Sequence, residues 1–151
     1  MNMAVSRYTV GTLNTGVNLR MAPKKASTAM TINTLLGVEV ATGQMIPLVP
    51  TLTFVKGVAV ERIVSTDGDF AAITEIAYDE PREGELFVMD VDNTGTALFV
   101  PGVSRTIINA GLIKAAAKGA GEFNFVRIHR ILPGNQAVVS LITLTNNDSN
   151  A

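Results

Sequence analysis

The chain alternates apolar and polar residues in short runs that are typical of β-strands. In Leu86–Val91, successive side chains change between an apolar set and a mixed set, and the two sets face opposite sides of a strand. Phe123–Leu132 alternates in the same way, and the Pro-Gly-Asn sequence at 133–135 leads into the β-rich stretch Ala137–Thr145. The sequence therefore predicts a β-hairpin around 133–135.

Shorter apolar runs predict further strands, each bounded by turn residues. The Asp-Gly-Asp sequence at 67–69 predicts a tight hairpin turn, because Asp-Gly readily supplies the positive φ that such turns require. Short strands at intervals of roughly 8 to 12 residues favour a small β-barrel or sandwich. The further predicted strands are Val38–Val40, Met45–Val49, Thr51–Val55, Val58–Ser65, Phe70–Ala77 and Ala97–Val100.

One segment has apolar residues at helical spacing. Ser104 can accept a backbone N–H at a helix start, and Gly119 suits a helix end. We therefore expect one α-helix over Arg105–Lys118. The residues at helical spacing are Ile107, Ile108, Gly111, Leu112 and Ala115.

The predicted architecture is mainly β, a small β-barrel or sandwich with one α-helix and an extended N-terminal arm. Residues 1–33 are rich in Thr, Asn, Ser, Ala and Lys, and their apolar residues are too scattered to form a core alone. We interpret 1–33 as the arm, 34–147 as the β-rich body and 148–151 as a polar tail.

Composition excludes several classes of protein. The chain has 151 residues, of which 47% are hydrophobic and 17% charged, and it contains no cysteine. Disulfides, thiolate catalysis and Cys-ligated zinc are therefore excluded. The apolar runs are much shorter than the roughly 20 residues of a membrane-spanning helix, and no apolar segment follows a basic start as in a secretory signal.

Charge is nearly balanced, at −1, but it is unevenly distributed. Residues 1–38 hold four basic residues and no acid, 61–92 hold ten acids against two arginines, and 93–147 hold five basic residues against one acid. Copies of such a chain can meet through complementary faces; the alternative is that solvated faces merely cluster by sequence. The candidate interaction residues are Arg7, Arg20, Lys24 and Lys25 in the arm and, as receivers, Asp79, Glu80, Glu83 and Glu85.

Each candidate for chemistry has a structural alternative. Asp90, Asp92 and Thr94 resemble the opening of a calcium loop, but its twelfth position is Pro101, so a turn that ends a strand is favoured. The carboxylates at 79–85 surround a proline and a glycine in a predicted loop, and the single histidine, His129, has no second ligand in view. The aromatic residues occupy apolar positions, unlike the exposed stacking platforms of nucleic-acid-binding barrels. We expect no catalytic residue, cofactor, metal, nucleic acid, membrane or small-molecule substrate.

A resemblance gives the functional expectation. The sequence Ala-Thr-Gly-Gln-Met-Ile-Pro-Leu-Val at 41–49, followed by Val-Ala-Val at 58–60 and Phe-Ala-Ala-Ile at 70–73, resembles the β pattern of the capsid decoration (cement) proteins of tailed bacteriophages. The resemblance covers about a third of the chain. It implies a homotrimer on the outer capsid surface, made in the host bacterial cytoplasm, that binds the major capsid protein and strengthens the shell.

The expected function is therefore that of a non-enzymatic virion protein that reinforces a capsid by bridging its subunits. One alternative is a phage tail-tube or head-completion protein, which would form rings. Another is a small β-barrel that binds a ligand or nucleic acid. An oligomeric mass distinguishes these classes, because a trimer favours decoration, a hexamer favours a tube, and a monomer with a ligand favours a binding barrel.

Overall fold

The computed structural model describes residues 5–7 and 18–144 of the chain. These residues form a mainly β structure with two sheets, which confirms the predicted fold class. The only helical segment among them is a single 3-10 turn at Phe70–Ala72. The strands are β1 (Val5–Arg7), β2 (Leu19–Pro23), β3 (Leu35–Val38), β4 (Met45–Pro47), β5 (Gly57–Ala59), β6 (Glu75–Asp79), β7 (Leu86–Val91), β8 (Ser104–Arg105), β9 (Ile107–Asn109), β10 (Leu112–Ile113), β11 (Val126–Leu132) and β12 (Gln136–Leu141).

A seven-stranded sheet curls into a nearly closed barrel. Its strands follow the order β8-β11-β12-β7-β10-β9, and β1 pairs beside β7. The strands at the two ends of this order, β8 and β9, are separated along the chain by Thr106 alone. The two edges of the sheet therefore lie close together, and the barrel is nearly closed. The alternation predicted for β7 directs Phe87, Met89 and Val91 into the core, where each is at most 2% exposed.

The hairpin predicted around 133–135 is confirmed. β11 and β12 pair antiparallel from Val126 with Leu141 to Leu132 with Gln136. The turn needs two residues with positive φ, and Gly134 and Asn135 supply them at 76° and 55°, because glycine and asparagine tolerate this region best.

A five-stranded sheet carries apolar residues on both faces. Its order is β2-β6-β5-β3-β4, and a bridge between Lys24 and Met45 brings the end of β2 next to β4. Leu35 belongs to the main hydrophobic core, whereas its neighbour Leu36 belongs to a second cluster on the other face. Successive strand residues point to opposite faces, so this sheet is packed on both sides.

The predicted helix at Arg105–Lys118 is wrong. This segment forms β8, β9 and β10, and β10 pairs in parallel with β7. The helical spacing arises because β9 and β10 fold back on each other around 110–111, which places Ile107 and Ile113 together in the core. The β-branched residues of the segment favour strands, and pairing with a distant strand satisfies their backbone.

The described part of the predicted arm belongs to the body. β1 pairs with β7, and β2 pairs with β6 from Leu19–Asp79 to Pro23–Glu75. Met30 is 1% exposed in the second cluster. The scattered apolar residues of 18–33 thus fill places in a core whose remaining members come from distant segments. Residues 1–4 and 8–17, and the predicted tail at 148–151, lie outside the described residues.

The predicted tight hairpin at 67–69 is also wrong. β5 and β6 do pair antiparallel, but the register joins Val58 to Asp79, so 60–74 form a long connection. Asp67 accepts the backbone N–H of Val64 on Oδ2 at 3.0 Å and begins a compact turn. The predicted strands at 51–55 and 97–100 are turns and loops.

Candidate interaction surface

Two of the basic residues predicted for the arm pair with acids of the same chain. Arg20 Nε donates to Glu80 Oε2 at 3.0 Å, and Lys25 Nζ donates to Glu39 Oε2 at 2.8 Å. The hydrogen bonds from Lys25 and Thr42 lower the pKa of Glu39. Of Arg7 the structure describes the backbone, in β1. The described arm charges are therefore already partnered within the protomer.

Lys24 is buried, contrary to its predicted role at a surface. It is 0% exposed, and its ammonium donates to the carbonyl oxygens of Lys25 at 2.7 Å and Ile73 at 3.3 Å. The ring centroid of Phe70 lies 5.8 Å from Nζ. Burial lowers the pKa of Lys24. Lys24 follows β2 and forms a bridge with Met45 at the edge of the five-stranded sheet, so its charge is enclosed within the protomer and is not presented to a partner.

The four acidic candidates differ in whether their carboxylates bind groups of the same chain. Asp79 is 5% exposed and accepts the backbone N–H of Asn18 at 2.8 Å, and Glu85 is 7% exposed and accepts that of Arg82 at 3.2 Å. Glu80 pairs with an arginine, as described above. Glu83 is exposed and forms no ion pair with the part of the chain that the structure describes. Three of the four predicted acidic receivers thus have partners within the protomer: Asp79 and Glu80 bind the segment at 18–20, and Glu85 binds its own loop.

A second buried cation, Arg105, organises the loops beside the barrel. Its guanidinium donates to three backbone carbonyls, those of Leu98 at 2.6 Å, Ala115 at 2.8 Å and Ser104 at 3.0 Å. Burial lowers its pKa. The nearby Asp92 accepts the backbone N–H of Ala115 at 2.8 Å, so this end of the barrel is fixed by polar contacts within the chain.

The sites considered for chemistry are held in structural contacts. Asp90 Oδ1 accepts a hydrogen bond from Gln136 at 3.0 Å, and His129 Nε2 lies 2.8 Å from Ser140 Oγ. Burial and the positive charge of Arg127 lower the pKa of His129. Within residues 5–7 and 18–144, no three His, Cys, Asp or Glu side chains are grouped so as to hold a metal ion.

A groove whose described lining residues are all uncharged lies between the five-stranded sheet and the β9–β10 end of the barrel. Its volume is about 620 Å³. Three apolar side chains remain exposed at its margin: Ile32 at 47%, Val49 at 40% and Ile108 at 47%. The groove is lined by Thr31, Ile32, Asn33, Thr34, Pro47, Leu48, Val49, Pro50, Ile108, Asn109, Ala110 and Gly111.

Backbone hydrogen bonds connect the three walls of this groove. Leu35 N donates to Ala110 O at 2.7 Å, and Leu48 N donates to Leu35 O at 3.0 Å. Asn109 closes the β9–β10 turn by accepting the N–H of Gly111 at 3.0 Å. The walls are therefore preorganised, and a partner that binds here loses little free energy to ordering the site.

Sequence reasoning missed the groove because its walls come from three separate parts of the chain. Val49 was assigned to a predicted strand and Ile108 to a predicted helix, and both residues were therefore expected to be buried in a core. Ile32 stood in the predicted arm. A signal was present only in the prolines at 47 and 50, which prevent regular pairing beside β4.

Comparisons with known protein families, with curated proteins and with solved structures found no match for this chain. Among the described residues, no helix has the length and apolar character needed to cross a membrane. The surface itself therefore supplies the functional argument. Exposed apolar side chains around a rigid concavity are typical of protein-binding sites.

Proposed function

We propose that this chain is a structural virion protein that binds the outer surface of a phage capsid as a trimer and reinforces the shell by bridging capsid subunits. It acts by binding and catalyses no reaction. The observation that carries the proposal is the uncharged groove, with Ile32, Val49 and Ile108 exposed at its margin. The resemblance to decoration proteins noted in the sequence supports the choice of partner, the major capsid protein.

The groove suits adhesion to a protein surface. Burial of apolar area supplies most of the free energy of stable protein–protein contacts. The described residues that line the groove include no charged residue, so a partner's apolar side chains can pack against them without leaving a buried charge unpaired. The all-β scaffold with its two packed clusters holds the walls in place, as a contact repeated many times over a shell requires.

The test uses a groove variant and a matched surface variant. Ile108→Asp places a carboxylate at the groove margin, whereas Val40→Asp places one on the turn between β3 and β4, where Val40 is 85% exposed. We expect Ile108→Asp to lower affinity for undecorated shells about tenfold or more, since it removes apolar burial and adds a desolvated charge. Val40→Asp should bind as the unsubstituted protein does.

Co-sedimentation with shells assembled from the major capsid protein of the same virus measures this affinity. Sedimentation equilibrium measures the oligomer, for which we expect three protomers. Absence of shell binding by the unsubstituted protein would contradict the proposal, as would equal binding by the two variants. A hexameric mass would favour a tail-tube role instead.

A further inference from the structure

Several exposed charged residues form no ion pair with the residues that the structure describes. Four ion pairs are internal among the described residues: Arg20–Glu80, Lys25–Glu39, Arg82–Glu85 and Lys114–Glu122. Among the exposed charges outside these pairs, Arg127 and Arg130 lie on β11 of the barrel, Asp69 lies in the connection between β5 and β6, and Glu75 is the first residue of β6. All four side chains are exposed.

A β-bulge creates the basic face of the barrel, which we define as Arg127 and Arg130. The register of β11 against β12 shifts between Ile128, which pairs with Val139, and Arg130, which pairs with Val138. His129 is the extra residue. Without this insertion, strict alternation would direct Arg130 into the core. The bulge therefore places Arg130 outside, on the same face as Arg127, and β11 carries no acid.

His129 lies between the two arginines and adds no charge to this face near neutral pH. Its pKa is lowered by burial and by the charge of Arg127, as described above. Ser140 on β12 holds its ring by a hydrogen bond. Arg127 and Arg130 themselves form no ion pair with any residue in the described ranges.

The acidic end of the five-stranded sheet, which we define as Asp69 and Glu75, lies in the long connection before β6 and at its first residue. Asp69 precedes the 3-10 turn, yet its carboxylate forms no capping hydrogen bond with that turn. Glu75 is exposed opposite Pro23 at the end of β2. Glu61 and Asp67 add negative charge to the same connection, and Arg62 is its one basic residue between β5 and β6.

We propose that the basic face of one copy docks on the acidic end of a second copy. The inference rests on the self-association included in the proposed function and identifies the surfaces that form it. Charge complementarity supports it: neither surface has an ion-pair partner among residues 5–7 and 18–144, and the two surfaces carry opposite charge. The net charge of the chain is only −1, so overall repulsion between copies is weak and the local charges decide their orientation.

Where the basic face of one copy meets the acidic end of a second copy, and the remaining surfaces of this pair stay free to bind further copies, the contact is heterologous. Heterologous contacts generate closed rings when the rotation between subunits closes, which is the geometry that a trimer requires. Each exposed ion pair contributes little to affinity, so apolar contacts at the interface supply the remaining affinity. Like charges placed opposite each other oppose association, so reversing the charge of either surface is the sensitive test.

The experiment compares two double variants with the variant that combines them. Arg127→Glu with Arg130→Glu makes both surfaces acidic, and Asp69→Arg with Glu75→Arg makes both basic. We expect either double variant to raise the protein concentration at half-dissociation about tenfold or more, measured by sedimentation equilibrium. The variant with all four substitutions exchanges the charges of the two surfaces. It should return the concentration at half-dissociation to within about threefold of the value for the unsubstituted protein.

Glu83→Arg is the control, because this exposed acid belongs to neither surface, and it should associate normally. Circular dichroism establishes that each variant is folded. The inference is overturned if the double variants associate as the unsubstituted protein does, or if the variant with all four substitutions does not regain normal association. It is also overturned if the unsubstituted protein is monomeric at every concentration measured. Charge-dependent association without shell binding would instead refute the proposed function and leave the inference standing.

Discussion

Truncation of the buried Lys24 should destabilise the protein. Lys24→Ala removes three buried methylenes, at about 0.8 kcal/mol each, and a charge-assisted hydrogen bond to Lys25 O worth about 1.5 kcal/mol or more. Relief of the desolvation of the ammonium offsets part of this loss. We expect a decrease of about 2 to 4 kcal/mol in the free energy of unfolding, measured by urea denaturation.

Lys24→Met separates packing from charge, because methionine keeps an unbranched apolar chain. This variant should recover most of the methylene contribution, about 2 kcal/mol relative to Lys24→Ala. A Lys24→Ala protein within about 0.5 kcal/mol of the unsubstituted protein would refute the reasoning, because such small effects are typical of surface positions.

The same residue predicts a pH dependence of stability. Burial lowers the pKa of Lys24, so between that folded value and about 10.4 the unfolded chain binds more protons than the folded chain. The free energy of unfolding therefore rises with pH across this window through Lys24. Between about pH 8 and about pH 10, the gain in stability should be larger for the unsubstituted protein than for Lys24→Met. Equal gains would contradict a lowered pKa for Lys24 in the folded protein.

Two further substitutions test the packing and the second buried cation. Gly57→Ala would place a Cβ against the Tyr78 ring and a backbone carbonyl, and it should lower the free energy of unfolding by about 1 to 3 kcal/mol. Gly68→Ala is the control, because its Cβ would project into open space, and it should change the free energy of unfolding by less than about 0.5 kcal/mol. Arg105→Ala leaves three carbonyl oxygens without their donor and should lower the free energy of unfolding, measured by urea denaturation, by about 2 to 4 kcal/mol. The exposed Arg127→Ala is the control and should lower it by less than about 0.5 kcal/mol. A similar loss in both arginine variants would contradict a structural role for Arg105.

The parts of the fold that were predictable depend on local signals. The alternation in β7 and the Pro-Gly-Asn turn before β12 act within a few residues, and both are confirmed. The segment 105–118 was mispredicted because its helical spacing reflects two short strands folded back on each other. The parallel pairing of Leu112 with Asp90 joins residues that are distant in sequence, and no local pattern records it.

The same distinction applies to the candidate surface. The basic and acidic runs were visible in the sequence, but which charges stay free was not. Lys24 is buried because a bridge to Met45 closes the edge of the five-stranded sheet, and Arg20 is neutralised by Glu80. Arg130 reaches the surface only through a bulge, whereas alternation alone would place it inside. These outcomes depend on contacts between distant segments.

Reinforcement of a shell is the central claim, and its most direct measurement is the temperature at which DNA-filled capsids release their DNA. Undecorated capsids are compared with capsids saturated by this protein, with saturation verified by co-sedimentation. We predict that saturation raises the release temperature and that Ile108→Asp, added at the same concentration, raises it less. An unchanged release temperature at full occupancy would contradict the account.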